Sequence, residues 1–145
     1  MSSTSSPVAH ESEVTVRFCE LDPYGHVNHS IYVQYFEVGR VEALAHVGMG
    51  LDVLLADADM TMVVVEIHTR FVASAHLGDV LRIESGLSSV GRVKATWLQR
   101  ITRDNQLIAT QRMVSGSVST AGRPVRFPAR LIEALEIFRV GDDWL

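Results

Sequence analysis

The stretch Val16-Arg17-Phe18-Cys19-Glu20-Leu21-Asp22-Pro23-Tyr24-Gly25-His26-Val27-Asn28-His29-Ser30-Ile31-Tyr32-Val33-Gln34-Tyr35-Phe36-Glu37-Val38-Gly39-Arg40 changes its period twice. Residues Glu13–Glu20 alternate, with Val14, Val16 and Phe18 on one side and Thr15, Arg17 and Cys19 on the other, as a strand does. Leu21–His29 is dense in turn formers, Pro23 and Gly25 among them. From Ser30 to Val47 the spacing becomes helical. Ile31, Tyr35, Val38, Glu42 and Ala45 trace one ridge, and Tyr32, Phe36, Gly39 and Ala43 another. Apolar residues surround most of that circumference, which predicts a helix buried on more than one side. Asn28 is placed to cap it, Gly48 and Gly50 to end it, and Gly39 to let its backbone approach a sheet closely. Glu37 and Arg40, spaced i,i+3, read as a structural pair.

Outward from this stretch the pattern is simpler. Leu51–Asp59 reads as a short helical turn with an acidic, solvated side. Met62–Val72 then places Val63, Val65, Ile67 and Phe71 against Glu66, His68 and Arg70. Asp79–Leu87 places Leu81 and Ile83 inward, opposite Arg82 and Glu84. Gly91–Thr102 and Gln106–Ser119 are joined across Asp104-Asn105, a hairpin signal. Pro128–Phe138 has weak helical periodicity. The order is strand, long helix, then four consecutive strands, which favours an antiparallel sheet over a parallel wind. The expectation is an α+β fold in which one helix lies along a five-stranded antiparallel sheet. Residues 1–12 read as a disordered tail and 13–145 as a single domain.

Composition narrows the function. The 145 residues are 47% hydrophobic and 21% charged, as in ordinary globular chains. No apolar run approaches the ~18 residues of a membrane span, and the N-terminus lacks the pattern of a signal peptide. Cys19 is the single cysteine, which excludes an internal disulfide framework and points to a reducing, cytoplasmic setting; mid-strand beside Glu20, it reads as a small core residue. The net charge of −4 argues against sequence-independent nucleic-acid binding. Of the 13 basic residues 12 are Arg, Lys94 being the exception. A local anion site therefore remains open on an acidic protein.

There is no Gly-x-Ser-x-Gly elbow, and no glycine pattern for a dinucleotide or nucleoside triphosphate. The reactive side chains concentrate in Asp22–His29, between a strand end and a helix start. Unpaired N–H groups in a first helical turn carry partial positive charge and can hold a developing oxyanion. Asp22, seven residues before His29, could share that pocket if the loop curls back. Acyl transfer needs such a pairing. The same Asp22 could equally cap its turn, and Asp22, His26 and His29 offer oxygen and nitrogen ligands to a metal. No fourth ligand is evident, so no metal is expected. His46, His68 and His76 read as surface or interface histidines.

The Val16–Arg40 stretch resembles the signature of hotdog-fold acyl-CoA thioesterases, and is most similar to the 4-hydroxybenzoyl-CoA thioesterase type. The resemblance continues through Arg70–Asp79 and Gly122–Pro128, with Ser74 where that family commonly has Pro. It implies a hotdog fold, with the sheet wrapped around the long helix, and a homodimer whose paired active sites lie at the subunit interface. A homotetramer is the further expectation, with Val64 and His68 on a face a second dimer could bury. The family's catalytic acid matches Asp22, and its oxyanion donor matches the backbone N–H of His29. By the same resemblance Tyr24 lines the acyl pocket while His26 and Asn28 shape the substrate loop. Arg123, Arg126 and Arg130 form a small basic group suited to the nucleotide of coenzyme A, or simply a solvated surface.

The reading that follows is an acyl-thioester hydrolase acting on an acyl-CoA or an acyl-carrier-protein substrate, needing no cofactor beyond the pantetheine of the substrate itself. Asp22 would act as general base or as nucleophile. Two alternatives come from other classes. A hotdog enoyl-thioester hydratase uses an Asp-x-Asn-Pro-x-His pattern, which Asp22-Pro23 and His26 do not match. A non-catalytic acyl-thioester binder would have no need of Asp22.

Overall fold

A computed structural model describes residues 9–145. The elements are β1 (His10–Thr15), α1 (His29–His46), α2 (Leu51–Ala58), β2 (Thr61–Phe71), β3 (Val80–Val90), β4 (Lys94–Arg103), β5 (Gln106–Val118) and α3 (Ala129–Leu135), with single 3-10 turns at Phe18–Glu20 and Glu136–Phe138. Most of the expected tail lies outside the described residues, and residues 10–12, assigned to it from sequence, belong to β1. The five strands form one antiparallel sheet in the order β1-β3-β4-β5-β2. The β4–β5 hairpin turns at Asp104 and Asn105, both at positive φ, as a two-residue connection matched to strand twist requires. With the long helix packed on that sheet, this is the α+β hotdog architecture expected from the sequence.

Helix α1 starts where Asn28 accepts the N–H of Ser30 at 3.0 Å. It crosses one face of the sheet so closely that a Cβ on Gly39 would come within 2.7 Å of both Ile83 Cγ2 and Ser85 Oγ. Two apolar clusters fill the interface. One contains Leu44, Leu87, Trp97 and Met113, the other Phe36, Ile83, Ile101 and Ala109. Between them the three central strands place buried polar residues toward the helix, among them Ser85 on β3, Gln99 on β4 and Gln111 on β5, all fully buried.

Four expectations are corrected. The helix is buried on one side only, because a single sheet packs against it; Gln34, Glu37, Val38, Val41 and Glu42 are exposed. Arg40 does not pair with Glu37. It is buried and donates from Nη1 to Oε1 of Gln99 and of Gln111, at 2.8 Å each. Cys19 is exposed rather than in the core, since β1 stops at Thr15 and the turn that follows inverts the alternation, exposing Phe18 and burying Glu20. Finally, the alternation of Met62–Val72 does not become burial. β2 is an edge strand, its register slips at a bulge between Val64 and Glu66, and Val63 through His68 are all exposed.

Candidate active site

The loop between β1 and α1 is closed by backbone bonds before any side chain acts. Asp22 N–H donates to His26 O at 2.7 Å and Gly25 N–H to Asp22 O at 3.1 Å, with Gly25 at φ +81°, a conformation glycine adopts without strain. Asp22 Oδ1 then accepts the N–H of Tyr24 at 2.9 Å and of His26 at 3.1 Å. The carboxylate does cap its turn, but with one oxygen. Oδ2 has no hydrogen-bond partner among the described residues.

The first turn of α1 shows a matching asymmetry. Asn28 N–H donates to Glu20 O, Ser30 N–H to the Asn28 side chain, and Ile31 N–H to Asn28 O. The N–H of His29 is left without a partner among the described residues, at the positive end of an 18-residue helix. Asp22 and His29 line one cleft of about 300 Å³, together with His26, Val27, Tyr32, Phe71, Val72, Ala73 and Ser74. The cleft thus joins the residue whose carboxylate oxygen and the residue whose helix-terminal N–H have no partner among the described residues.

Both walls of the cleft are braced from behind. Glu20 is buried under the turn and accepts from Arg17 N–H at 2.8 Å, Arg17 Nη2 at 3.2 Å and Tyr35 Oη at 2.8 Å. Burial alone would raise its pKa, but these donors outweigh burial and hold it below the usual carboxylate value. Tyr35 is raised in turn, by burial and then by its bond to Glu20. On the other wall Arg103 Nη1 reaches Asp79 Oδ2 at 2.7 Å and Ser74 O at 3.0 Å, and His76 N–H donates to the same Asp79 oxygen at 2.8 Å. Those bonds overcome the opposing effect of burial and keep Asp79 low. Ala75 N–H donates to Tyr32 Oη at 3.3 Å, and Tyr32 packs edge to face on Phe71, with ring centroids 5.5 Å apart.

Of the residues singled out by sequence, Asp22, His26 and His29 come together in the cleft, and Asn28 serves as the helix cap. Tyr24 does not line it: the residue is 84% exposed and absent from the cleft's lining. Arg123, Arg126 and Arg130 do not approach it either. Val118 pairs with Thr61 at one end of β2 and bridges to Pro124, while the cleft lies beyond Phe71 at the other end, about 30 Å along a strand of this length. Arg130 is further engaged by Asp57 on α2 at 3.0 Å. Sequence reasoning missed Tyr32, Phe71, Glu20, Asp79 and Arg103, whose roles depend on contacts between distant segments; Val16–Arg40 holds Glu20 and Tyr32 and Arg70–Asp79 holds Phe71 and Asp79, while Arg103 had no signal. Among the described residues no group of three His, Cys, Asp or Glu side chains is placed to hold a metal, and no helix is long and apolar enough to cross a membrane.

Comparison with known proteins covers nearly the whole chain. Residues 16–135 match the thioesterase-like superfamily. The chain is 29% identical over 117 residues to the acyl-CoA thioesterase YbgC of Haemophilus influenzae, covering 79% of this chain and 85% of that protein. It is 25% identical over 136 residues to an Arabidopsis thaliana protein named acyl-acyl carrier protein thioesterase ATL3, chloroplastic, covering 92% and 71%. A Thermus thermophilus thioesterase solved in complex with coenzyme A and zinc superimposes with a TM-score of 0.75 at 25% identity, covering 86% of this chain and 90% of that one.

Proposed function

The chain belongs to the thioesterase-like superfamily, whose relatives here are acyl-thioester hydrolases, and on that premise we propose that it cleaves acyl thioesters in the Asp22 cleft. The observation that carries this reading is that two residues lining one cleft each keep a group without a partner among the described residues, Asp22 its Oδ2 and His29 its N–H. The thioester carbonyl oxygen accepts from the His29 N–H, where one such donor typically contributes ~3–4 kcal/mol to the transition state. On the opposite side Asp22 Oδ2 either takes a proton from the attacking water or attacks the carbonyl itself to form a mixed anhydride. The carbon–sulfur bond breaks, the thiol leaves with a proton, and water supplies the hydroxyl of the free acid. Coenzyme A or the pantetheine of a carrier protein is the leaving group, matching the two substrate types in the names of the relatives.

The site is completed in a homodimer. β2 is an eleven-residue edge strand that leaves Val63, Val64, Val65, Ile67 and Phe71 exposed, an arrangement that invites pairing with another strand. Two copies joined antiparallel along β2 make a continuous sheet. The Thr61 end of one strand then meets the Phe71 end of its twin, bringing Arg123 and Arg126 of one protomer to the cleft of the other, where they suit a nucleotide phosphate.

The test is thiol release from a panel of aliphatic and aromatic acyl-CoAs by wild type and Asp22→Asn. Hydrolysis that falls about 10²-fold or more in the variant supports the reading. Undiminished hydrolysis in the variant removes Asp22 from the reaction, and a silent wild type on both CoA and carrier-protein esters overturns the assignment.

A further inference from the structure

Among the described residues Arg40 is a cation without a countercharge. It is 7% exposed, and among the described residues no carboxylate lies within ion-pair distance of it. Its two hydrogen bonds, to Gln99 and Gln111, both leave from Nη1 and both end on neutral amides. Those amides are themselves fixed: Gln99 donates to Phe36 O and Ser85 Oγ, and Gln111 to Thr69 Oγ1. Nε and Nη2 have no partner among the described residues, yet neither is sealed off. Burial lowers the pKa to about 10 while the more distant Glu37 works against it, so the group is protonated at neutral pH.

Arg40 borders a cavity of about 90 Å³ between α1 and β2, whose apolar walls include Val41, Leu44, Met62, Val63 and Trp97. Glu37 stands at its rim, exposed to solvent. An ionised group taken out of water is costly unless paired. The vacant Nε–Nη2 edge of a guanidinium is the edge that takes a carboxylate through two parallel bonds. The space is smaller than the ~150 Å³ that holds a benzene ring, so only a few carbons fit ahead of such a group.

We propose that this cavity receives the far end of the acyl group and that Arg40 selects short acyl thioesters ending in a carboxylate over plain aliphatic ones. This rests on the thioesterase reading above. In the antiparallel β2 pairing, the Met62–Val64 end of one strand lies beside the Phe71 end of its twin, so the cavity opens next to the partner's Asp22. Gln99 and Gln111 hold the guanidinium through Nη1, so Nε and Nη2, without partners among the described residues, are the groups that take the carboxylate.

The experiment compares matched pairs of substrates, succinyl-CoA with butyryl-CoA and glutaryl-CoA with pentanoyl-CoA, on wild type, Arg40→Met and Arg40→Lys. Wild type should favour the carboxylate-bearing member by about tenfold or more in kcat/KM, as a site with unpaired polar groups discriminates against a ligand that cannot satisfy them. The ratio should collapse toward one in Arg40→Met and recover partly in Arg40→Lys. A wild-type ratio near one, or a ratio unchanged in Arg40→Met, overturns the proposal. A second readout does not need turnover. Monomethyl glutarate should raise the Tm of wild type, dimethyl glutarate should not, and Arg40→Met should abolish the difference. If no CoA ester is cleaved but this shift is seen, the carboxylate site stands and the hydrolase reading falls. If Arg40→Met does not fold, the wild-type ratio and the wild-type shift decide alone.

Discussion

Tyr35 donates its hydroxyl to Oε1 of Glu20 at 2.8 Å, tying the middle of α1 to the turn that leads into Asp22. Removing that donor with Tyr35→Phe should cost about 1.5–3 kcal/mol, the usual range for a hydrogen bond to a charged group. The effect is pH-dependent, and its sign follows from Glu20. A carboxylate held below its ordinary pKa stabilises the fold above about pH 4.3 and loses that contribution as pH falls through the lower folded value. Urea unfolding at pH 7 and at pH 3 should show the Tyr35→Phe deficit large at the first and much reduced at the second.

Asp22 has two tasks that two substitutions separate. Asn keeps an oxygen to accept the Tyr24 and His26 N–H groups, so Asp22→Asn should melt within about 2 °C of wild type. Asp22→Ala removes the acceptor and should lose about 1 kcal/mol, some 3–4 °C in Tm. Both should lose hydrolysis alike, about 10²-fold or more. Differential scanning fluorimetry beside the thiol assay distinguishes the two tasks.

Gly39→Ala places a methyl 2.7 Å from Ile83 Cγ2 and Ser85 Oγ and 3.1 Å from Gln99 Nε2. Alanine is the better helix former, yet the contact should dominate. The expected loss is about 1–3 kcal/mol from overpacking, read as a lower urea midpoint with an unchanged slope. A stabilised variant would show that the helix can lift from the sheet without cost.

Ile67 lies toward the middle of β2, exposed in the protomer. Ile67→Asp sets two like charges across the proposed symmetry axis and should shift the sedimentation profile from dimer to monomer, with activity falling in step. A wild type that sediments as a monomer at every concentration removes the pairing.

Arg126 is exposed and distant from the cleft of its own protomer. If the partner's cleft uses it, Arg126→Glu should raise KM several-fold for an acyl-CoA while leaving that of the matching acyl-pantetheine, which has no nucleotide, nearly unchanged. Equal changes for both esters would place the arginine on an idle surface.

Local rules made much of this molecule legible in the linear chain. Asn28 caps α1 because a short polar side chain there can reach the Ser30 N–H. Asp104-Asn105 turns the hairpin because both residues tolerate positive φ. Leu81 and Ile83 point inward as a period of two demands. The cluster Asp22–His29 was visible as well, since its residues are neighbours in sequence. Readings failed where a partner lay far along the chain. Arg40 looked like the mate of Glu37 three residues away, but the buried amides of Gln99 and Gln111, 59 and 71 residues on, compete better for it. Cys19 and Phe18 read as strand residues because nothing local marks the 3-10 turn that carries Glu20 inward to Tyr35.

Sequence by itself therefore determined the order of the main elements, the antiparallel character of the sheet and the turn that bears the candidate carboxylate, all consequences of side-chain period, turn chemistry and capping within a few residues. The tertiary structure decided that β2 stands at an edge, that Asp22 and His29 line a common cleft while one oxygen of the first and the N–H of the second have no partner among the described residues, and that Arg40 is buried with no carboxylate of those residues paired to it. These depend on which donors and acceptors remain after segments far apart in the chain have satisfied one another, and no local pattern encodes a remainder.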